Sequence, residues 1–212
     1  MIILIHGAWH GAWVWERVIG PGMVAPELDL AADLSAHVAA VGELIGRSTE
    51  PVRLVGHSYG AAVAQLAAAR WADRVEELVC LDGFVLRPGQ AVIDLVPPRI
   101  RLAWLEQGGM VRPLGVDVMA VNDADRDWVQ ARLRPQSLRC FVERAPEGTG
   151  FGGKRFYARA SGFAFPPFDR ILARCTRDGW ECETVATGHD VMLAAPDWVK
   201  DRIGARKDEV KG

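Results

Sequence analysis

Short apolar runs alternate with amphipathic stretches along most of the chain. Residues 1–5, Met23–Pro26, Pro51–Val55, Val75–Leu81, Lys154–Ala160 and Trp180–Ala186 are compact and rich in Val, Ile, Leu or aromatic residues. Runs of that length read as buried strands. Between them, Ala31–Ile45 repeats apolar residues at helical spacing. Leu34, Val38, Val41 and Ile45 share one face, Ser35 and His37 fall off it, and Asp29 or Asp33 is placed to cap the start. Further helices are expected near Trp15–Val18, over Ala61–Arg70, over Pro167–Arg177 and over Pro196–Ile203, and the charged tail from Ala205 should fray. Strands alternating with helices predict an α/β class, with a mostly parallel sheet covered on both faces.

Residues 84–150 break that rhythm. Pro88, Pro97-Pro98, Gly108-Gly109 and Pro113 interrupt short apolar helices. The stretch reads as a helical cap inserted into a single domain spanning 1–212. It offers Trp104, Leu105, Met110, Met119 and Trp128 as pocket lining, unless they form the small core of the cap itself.

Composition narrows the function classes. With 25 basic and 27 acidic residues the formal charge is −2. That gives no basic field for nucleic acid. No apolar run approaches the roughly 20 residues of a membrane span, and the apolar start is too short for a signal segment. The cysteines Cys80, Cys140, Cys175 and Cys182 show no C-x-x-C spacing and read as reduced thiols, pointing to the cytoplasm. A small-molecule substrate is the expected partner, with a homodimer as a possible assembly. No cofactor or metal is called for.

Gly56-His57-Ser58-Tyr59-Gly60 carries the chemistry. This G-x-S-x-G lies between a strand and a helix, where a sharp turn lifts a serine hydroxyl above the sheet edge. Such a hydroxyl needs a base. His189 follows the last strand and comes after the serine in chain order. His6, His10, His37 and His57 lie in turns or helices less suited to that task. The acid that orients the base is expected after the strand ending at Ala160, but no carboxylate occurs there before Asp169, inside the next helix. Asp82, at the end of the preceding strand, is the nearest substitute, although turn capping would also explain it. Glu143 is the second choice. The N–H groups of Ala8 and Tyr59 are placed to serve an oxyanion hole. His6 either braces that first turn or is simply a packed polar residue, and Trp9 beside it is a candidate substrate contact.

Three other patterns carry less. Gly148–Lys154 approximates a phosphate-binding loop, but a strand follows it where a helix N-terminus is required. Asp123, Asp125 and Asp127 lack the glycine and glutamate of a calcium loop and suit a helix start. His6 and His10 have metal-like spacing without a third ligand.

His6–Trp13, Gly56–Gly60, Leu81–Val85 and Thr187–Leu193 together resemble the plant hydroxynitrile lyase and methylesterase family of α/β-hydrolases and its bacterial relatives. The resemblance covers most of the chain outside 84–150. It implies an α/β-hydrolase core, catalytic Ser58 and His189, and oxyanion donors Ala8 and Tyr59. The lyase members carry threonine at the position of Gly7 and lysine at that of Asp190, so this chain looks like an esterase-type member. The chain is also trimmed between Val18 and Met23. The expectation is a serine hydrolase cleaving a small apolar or aromatic ester through an acyl-enzyme, with Asp82 completing the triad. A thioesterase, a lyase or cyclase using His189 as a base, and a non-catalytic binding protein remain as alternatives.

Overall fold

The computed structural model describes residues 1–204, so the charged tail lies outside the described residues. In chain order the elements begin with β1 (Ile2–Ile5), β2 (Met23–Val24), α1 (Leu34–Arg47), β3 (Val52–His57), α2 (Tyr59–Arg70) and β4 (Val75–Leu81). Next come α3 (Val92–Leu95), α4 (Pro98–Gln107), β5 (Met110–Val111), α5 (Arg126–Arg132), β6 (Gln136–Ser137) and α6 (Arg139–Val142). The chain then returns to the sheet with β7 (Lys154–Ala160), α7 (Pro166–Arg177), β8 (Glu181–Val185), α8 (Val191–Ala194) and α9 (Pro196–Gly204).

Six strands form one parallel sheet in the order β2-β1-β3-β4-β7-β8. This is an α/β-hydrolase fold. The chain runs from β1 outward to β2, then crosses back to β3 on the other side of β1. A crevice opens at the carboxyl ends of strands where such an order reverses. Gly7-Ala8 leave β1 there, and Ser58 leaves β3 there.

Local chemistry explains the elements. Asp33 caps α1 by accepting the Ala36 N–H at 3.0 Å. His37, expected off the apolar face, is buried. It lies three residues after Leu34, on the flank of the stripe, and Tyr59 gives it a partner: its Nδ1 accepts the Tyr59 hydroxyl at 2.8 Å. Helix α2 buries ten of its 12 residues, half of them alanine, against the sheet. Its small side chains let the helix approach closely, and an inserted leucine at Ala67 would cost about 1–3 kcal/mol in overpacking. The helix expected near Trp15–Val18 is a single 3₁₀ turn, Ala12–Trp15, because Gly20-Pro21-Gly22 soon redirects the chain into β2.

Between β4 and β7 the chain builds α3 to α6 and the antiparallel β5–β6 pair. Buried Gln65 of α2 anchors the start of this stretch: its carboxamide both donates to and accepts from Leu86, at 2.8 and 2.7 Å. Among the described residues, no helix is long and apolar enough to cross a membrane.

Candidate active site

Ser58 stands at φ 54°, ψ −119° between β3 and α2. The turn is possible only with glycine on each side. A Cβ at Gly56 would lie 2.3 Å from the Gly60 carbonyl oxygen, and one at Gly60 would lie 2.4 Å from those of Ile5 and His6. Ser58 Oγ donates to His189 Nε2 at 2.9 Å, and His189 Nδ1 donates to Asp82 Oδ2 at 2.7 Å. All three side chains are buried.

The structure therefore brings Ser58, His189 and Asp82 together although 107 residues separate the last two in sequence. Asp82 Oδ1 accepts from Arg159 Nη1 at 2.8 Å and from the Ala160 N–H at 3.0 Å. Arg159 also donates to Asp169 and to the Phe163 carbonyl. Burial opposes charge on Arg159, but Asp169 and Asp82 outweigh it and raise its pKa. Sequence reasoning missed this arginine. Its one signal was a charge between two alanines in the buried half of β7. Where a carboxylate was first expected, after β7, Phe163 and Phe168 flank the imidazole of His189 at centroid distances of 4.5 and 5.8 Å. Glu143 lies elsewhere, accepting the Ser35 N–H at the start of α1.

The Tyr59 N–H is the first of α2 and has no acceptor within the helix. The Ala8 N–H has no acceptor among the described residues. Backbone strain gathers around these groups. Among the described residues, the non-glycine residues with positive φ are Trp9, Ser58, Asp82 and Ala120. Trp9 lies in the turn after β1, Ser58 and Asp82 directly follow β3 and β4, and Ala120 follows Met119, whose carbonyl accepts the His189 N–H at 3.0 Å. Such strain costs about 1–3 kcal/mol per residue and persists where surrounding contacts over-determine it, characteristically at functional sites.

A cavity of about 30 Å³ opens on Ser58 and His189. On that scale one water needs about 10–15 Å³, so the space is small. Trp9, Phe165 and Phe168 line it from the core, and Phe84, Ile100, Trp104, Met119 and Phe141 from the 84–150 stretch. No charged side chain lines it apart from the titratable His189.

Three expected lining residues lie elsewhere. Met110 is exposed because the pleat of β5 turns neighbouring Val111 inward. Trp128 packs edge-on against Trp13 at 5.0 Å and carries the Arg132 guanidinium on its face, outside the cavity. Leu105 also points to solvent. The other patterns resolve as structure. Gly148–Gly153 leads directly into β7, and the Thr149 carbonyl accepts from Gln65. Asp125 precedes α5 but caps nothing, since Arg17 and Asn122 occupy its carboxylate. His6 and His10 face different partners: His6 meets the Gly7 carbonyl and the Leu28 N–H, and His10 the Ala8 carbonyl and Asp190.

The model of the alpha/beta hydrolase family matches residues 2–202. The chain belongs to this family. Among its relatives in the family is the carbendazim hydrolyzing esterase of Nocardioides sp. (strain SG-4G), 30% identical over 237 aligned positions that cover 96% of this chain and 98% of the relative. Esterase PIR7B of Oryza sativa subsp. japonica is 38% identical over 157 positions, covering 64% and 56%. Solved structures share the hydrolase fold at lower identity. An extracellular alpha/beta-hydrolase from a Paenibacillus species superposes with a TM-score of 0.81 at 16% identity, covering 94% of this chain and 96% of that one. A pyrethroid hydrolase from Sphingobium faniae JZ-2 gives 0.75 at 18%, covering 96% and 95%.

Proposed function

We propose that this hydrolase is a serine esterase acting on small, uncharged, apolar or aromatic esters through an acyl-enzyme. The enzyme class, carboxylic ester hydrolase, rests on the family match and on the esterase related over nearly its whole length. The observation that carries the mechanism is the unbroken hydrogen-bond chain Ser58–His189–Asp82, at 2.9 and 2.7 Å.

In this mechanism Ser58 Oγ attacks the ester carbonyl carbon while its proton passes to His189 Nε2. Asp82 holds the Nδ1–H tautomer, so that Nε2 is free to accept, and stabilises the imidazolium. The Ala8 and Tyr59 N–H groups receive the developing oxyanion. As the tetrahedral intermediate collapses, the C–O bond to the alcohol breaks and His189 returns the proton to the leaving oxygen. Water then repeats the sequence on the acyl-enzyme, with His189 taking its proton, and frees the acid and Ser58.

The substrate class follows from the walls. An apolar cavity without a charged partner rewards burial of hydrocarbon and offers nothing to an anionic acyl group. Its small volume favours a short acyl chain, with residues 84–150 acting as a cap over a single catalytic unit. A thioester would meet the same groups and is the second reading. Cyanohydrin cleavage is disfavoured, since neither a threonine hydroxyl at position 7 nor an ammonium at position 190 is present.

The test is covalent labelling with a fluorophosphonate followed by peptide mapping, alongside turnover of p-nitrophenyl acetate and of carbendazim, the compound named for the full-length relative. The adduct is expected on the peptide containing Ser58. A folded protein with no serine adduct and no ester turnover overturns the enzyme reading in favour of a binding protein.

A further inference from the structure

Asp190 follows His189 and is buried. Its carboxylate lies 3.3–3.4 Å from His10 Nε2 and 3.8 Å from His57 Nε2. His10 Nδ1 lies 2.7 Å from the Ala8 carbonyl oxygen. Both ring nitrogens of His10 thus face acceptors. A neutral imidazole carries one N–H and could satisfy only one of them, so His10 is an imidazolium and Asp190 its counter-ion. Burial opposes both charges, but their mutual attraction prevails: the His10 pKa is raised, and that of Asp190 is held below the usual carboxylate range. His57 differs. Its Nε2–H donates to the His189 carbonyl at 3.0 Å, and its Nδ1 has no partner among the described residues. Burial and neighbouring His189 keep it neutral.

One carboxylate therefore sits where three turns meet. Through His10 it reaches Ala8 in the turn after β1. His57 of the nucleophile turn stays 3.8 Å from it and is tied instead to the neighbouring His189 carbonyl. Through the backbone Asp190 belongs to the loop that carries His189. Gly7 is part of the same arrangement, because a Cβ there would lie 2.8 Å from His57 Nδ1 and 2.9 Å from Ser58 Cβ. The His57 ring fills the room a side chain at position 7 would need, so Gly7, His57 and Asp190 form one interdependent set.

We propose that Asp190 is a positioning residue for Ser58 and His189: paired with His10, it ties the oxyanion turn to the base-bearing loop, to which His57 of the nucleophile turn is bonded through the His189 carbonyl, and its fixed negative charge favours the imidazolium formed when His189 takes the Ser58 proton. The proton moves only from Ser58 Oγ to His189 Nε2, and His10 and Asp190 keep their charge states throughout. The groups facing this cluster are His6 and His10 beyond β1, His57 beside Ser58, His189 with Asp82 and Arg159 behind it, and Asp125, which Arg17 neutralises at 2.9 Å. Asp190 is thus the carboxylate nearest His189 that is not already paired with an arginine.

The inference rests on the Ser58–His189 reading, and its test separates the two. Wild type, Asp190→Asn, Asp190→Glu and the double variant His10→Gln/Asp190→Asn are compared for kcat and KM on p-nitrophenyl acetate from pH 5 to 9, with fluorophosphonate labelling of each. Asp190→Asn keeps an acceptor for His10 but loses the charge. A drop of about 10–100-fold in kcat is expected with little change in KM, and the acid limb of the profile should move toward lower pH. Asp190→Glu should restore part of kcat. The double variant removes both buried charges, so it serves if Asp190→Asn does not fold, and the same loss is expected. A labelled, active wild type whose folded Asp190 variants keep kcat within twofold and an unmoved acid limb overturns this inference alone. A wild type that is neither labelled at Ser58 nor active overturns the catalytic reading and this one with it.

Discussion

Arg159 and His189 hold opposite oxygens of the Asp82 carboxylate, at 2.8 and 2.7 Å. The arginine compensates a carboxylate with no access to solvent and fixes its plane, so the second oxygen meets the imidazole. Removing one partner of a buried ion pair costs about 3–5 kcal/mol, because the other charge is left uncompensated. Arg159→Gln should therefore lower unfolding stability by that order in urea titrations. Arg159→Gln/Asp82→Asn should recover part of the loss, giving a positive coupling in a double-mutant cycle. Additive effects would show that the pair is not coupled.

Asp82→Asn should leave Ser58 and His189 in place but favour the wrong imidazole tautomer. Turnover of p-nitrophenyl acetate is expected to fall by on the order of 10²–10⁴-fold, and His189→Ala should lose about 10³-fold or more. An Asp82→Asn enzyme within tenfold of the parent would take the acid role away from this residue.

The sharp turn at Ser58 and the place of His189 beside it could be read in the sequence because short-range patterns specify them: glycines around a serine, and a histidine after a terminal strand. Asp82 was legible through topology, since the end of β4 neighbours that of β3 in a parallel sheet. Arg159 and the His10–Asp190–His57 cluster were not. Their contacts join residues up to 180 positions apart, and no local period records such pairings. Residues 84–150 misled for a related reason. Their short helices carry apolar side chains on both faces, so composition alone could not separate Trp104, which lines the cavity, from Met110 and Trp128, which do not.

That distinction is testable. Ile100 lies on α4 at the cavity wall and is only partly buried, so Ile100→Ala should fold and enlarge the space. Its kcat/KM for p-nitrophenyl octanoate should rise relative to that for the acetate. Met110→Ala and Trp128→Ala should leave the ratio of the two substrates unchanged. A selectivity shift in either of the last two, with none in Ile100→Ala, would relocate the acyl site.

Position 7 offers a further check. The family's lyase members carry threonine there, yet here a Cβ would press on His57 and Ser58. Gly7→Thr should therefore lower esterase turnover and produce no cyanide from mandelonitrile above background, measured colorimetrically. Cyanide release that disappears on Ser58→Ala would show that the pocket supports lyase chemistry after all.

His6 sets the response of stability to acid. Its Nδ1–H donates to the Gly7 carbonyl at 2.8 Å, and its Nε2 accepts the Leu28 N–H at 3.2 Å. Both partners suit the neutral ring, and a proton on Nε2 would oppose the Leu28 donor. Burial, with the charge of neighbouring His10, lowers its pKa to about 4 from the ordinary 6.5, even though the Gly7 contact pulls the other way. The unfolded chain therefore takes up this proton near pH 6.5 and the folded one only near pH 4. Between those values the unfolded state binds more protons, so stability falls as pH falls. The full window corresponds to about 3 kcal/mol for this histidine. His57 and His37, also shifted down mainly by burial, act in the same direction. His10 acts in the opposite sense: its raised pKa contributes stability fully present below pH 6.5 and lost as pH rises through its folded value. Urea unfolding at pH 7.0, 5.5 and 4.5 should show a steep acid loss in the wild type. His6→Gln, which can still accept from Leu28 but cannot titrate, should flatten it measurably. An identical pH slope in the two proteins would place the acid sensitivity elsewhere.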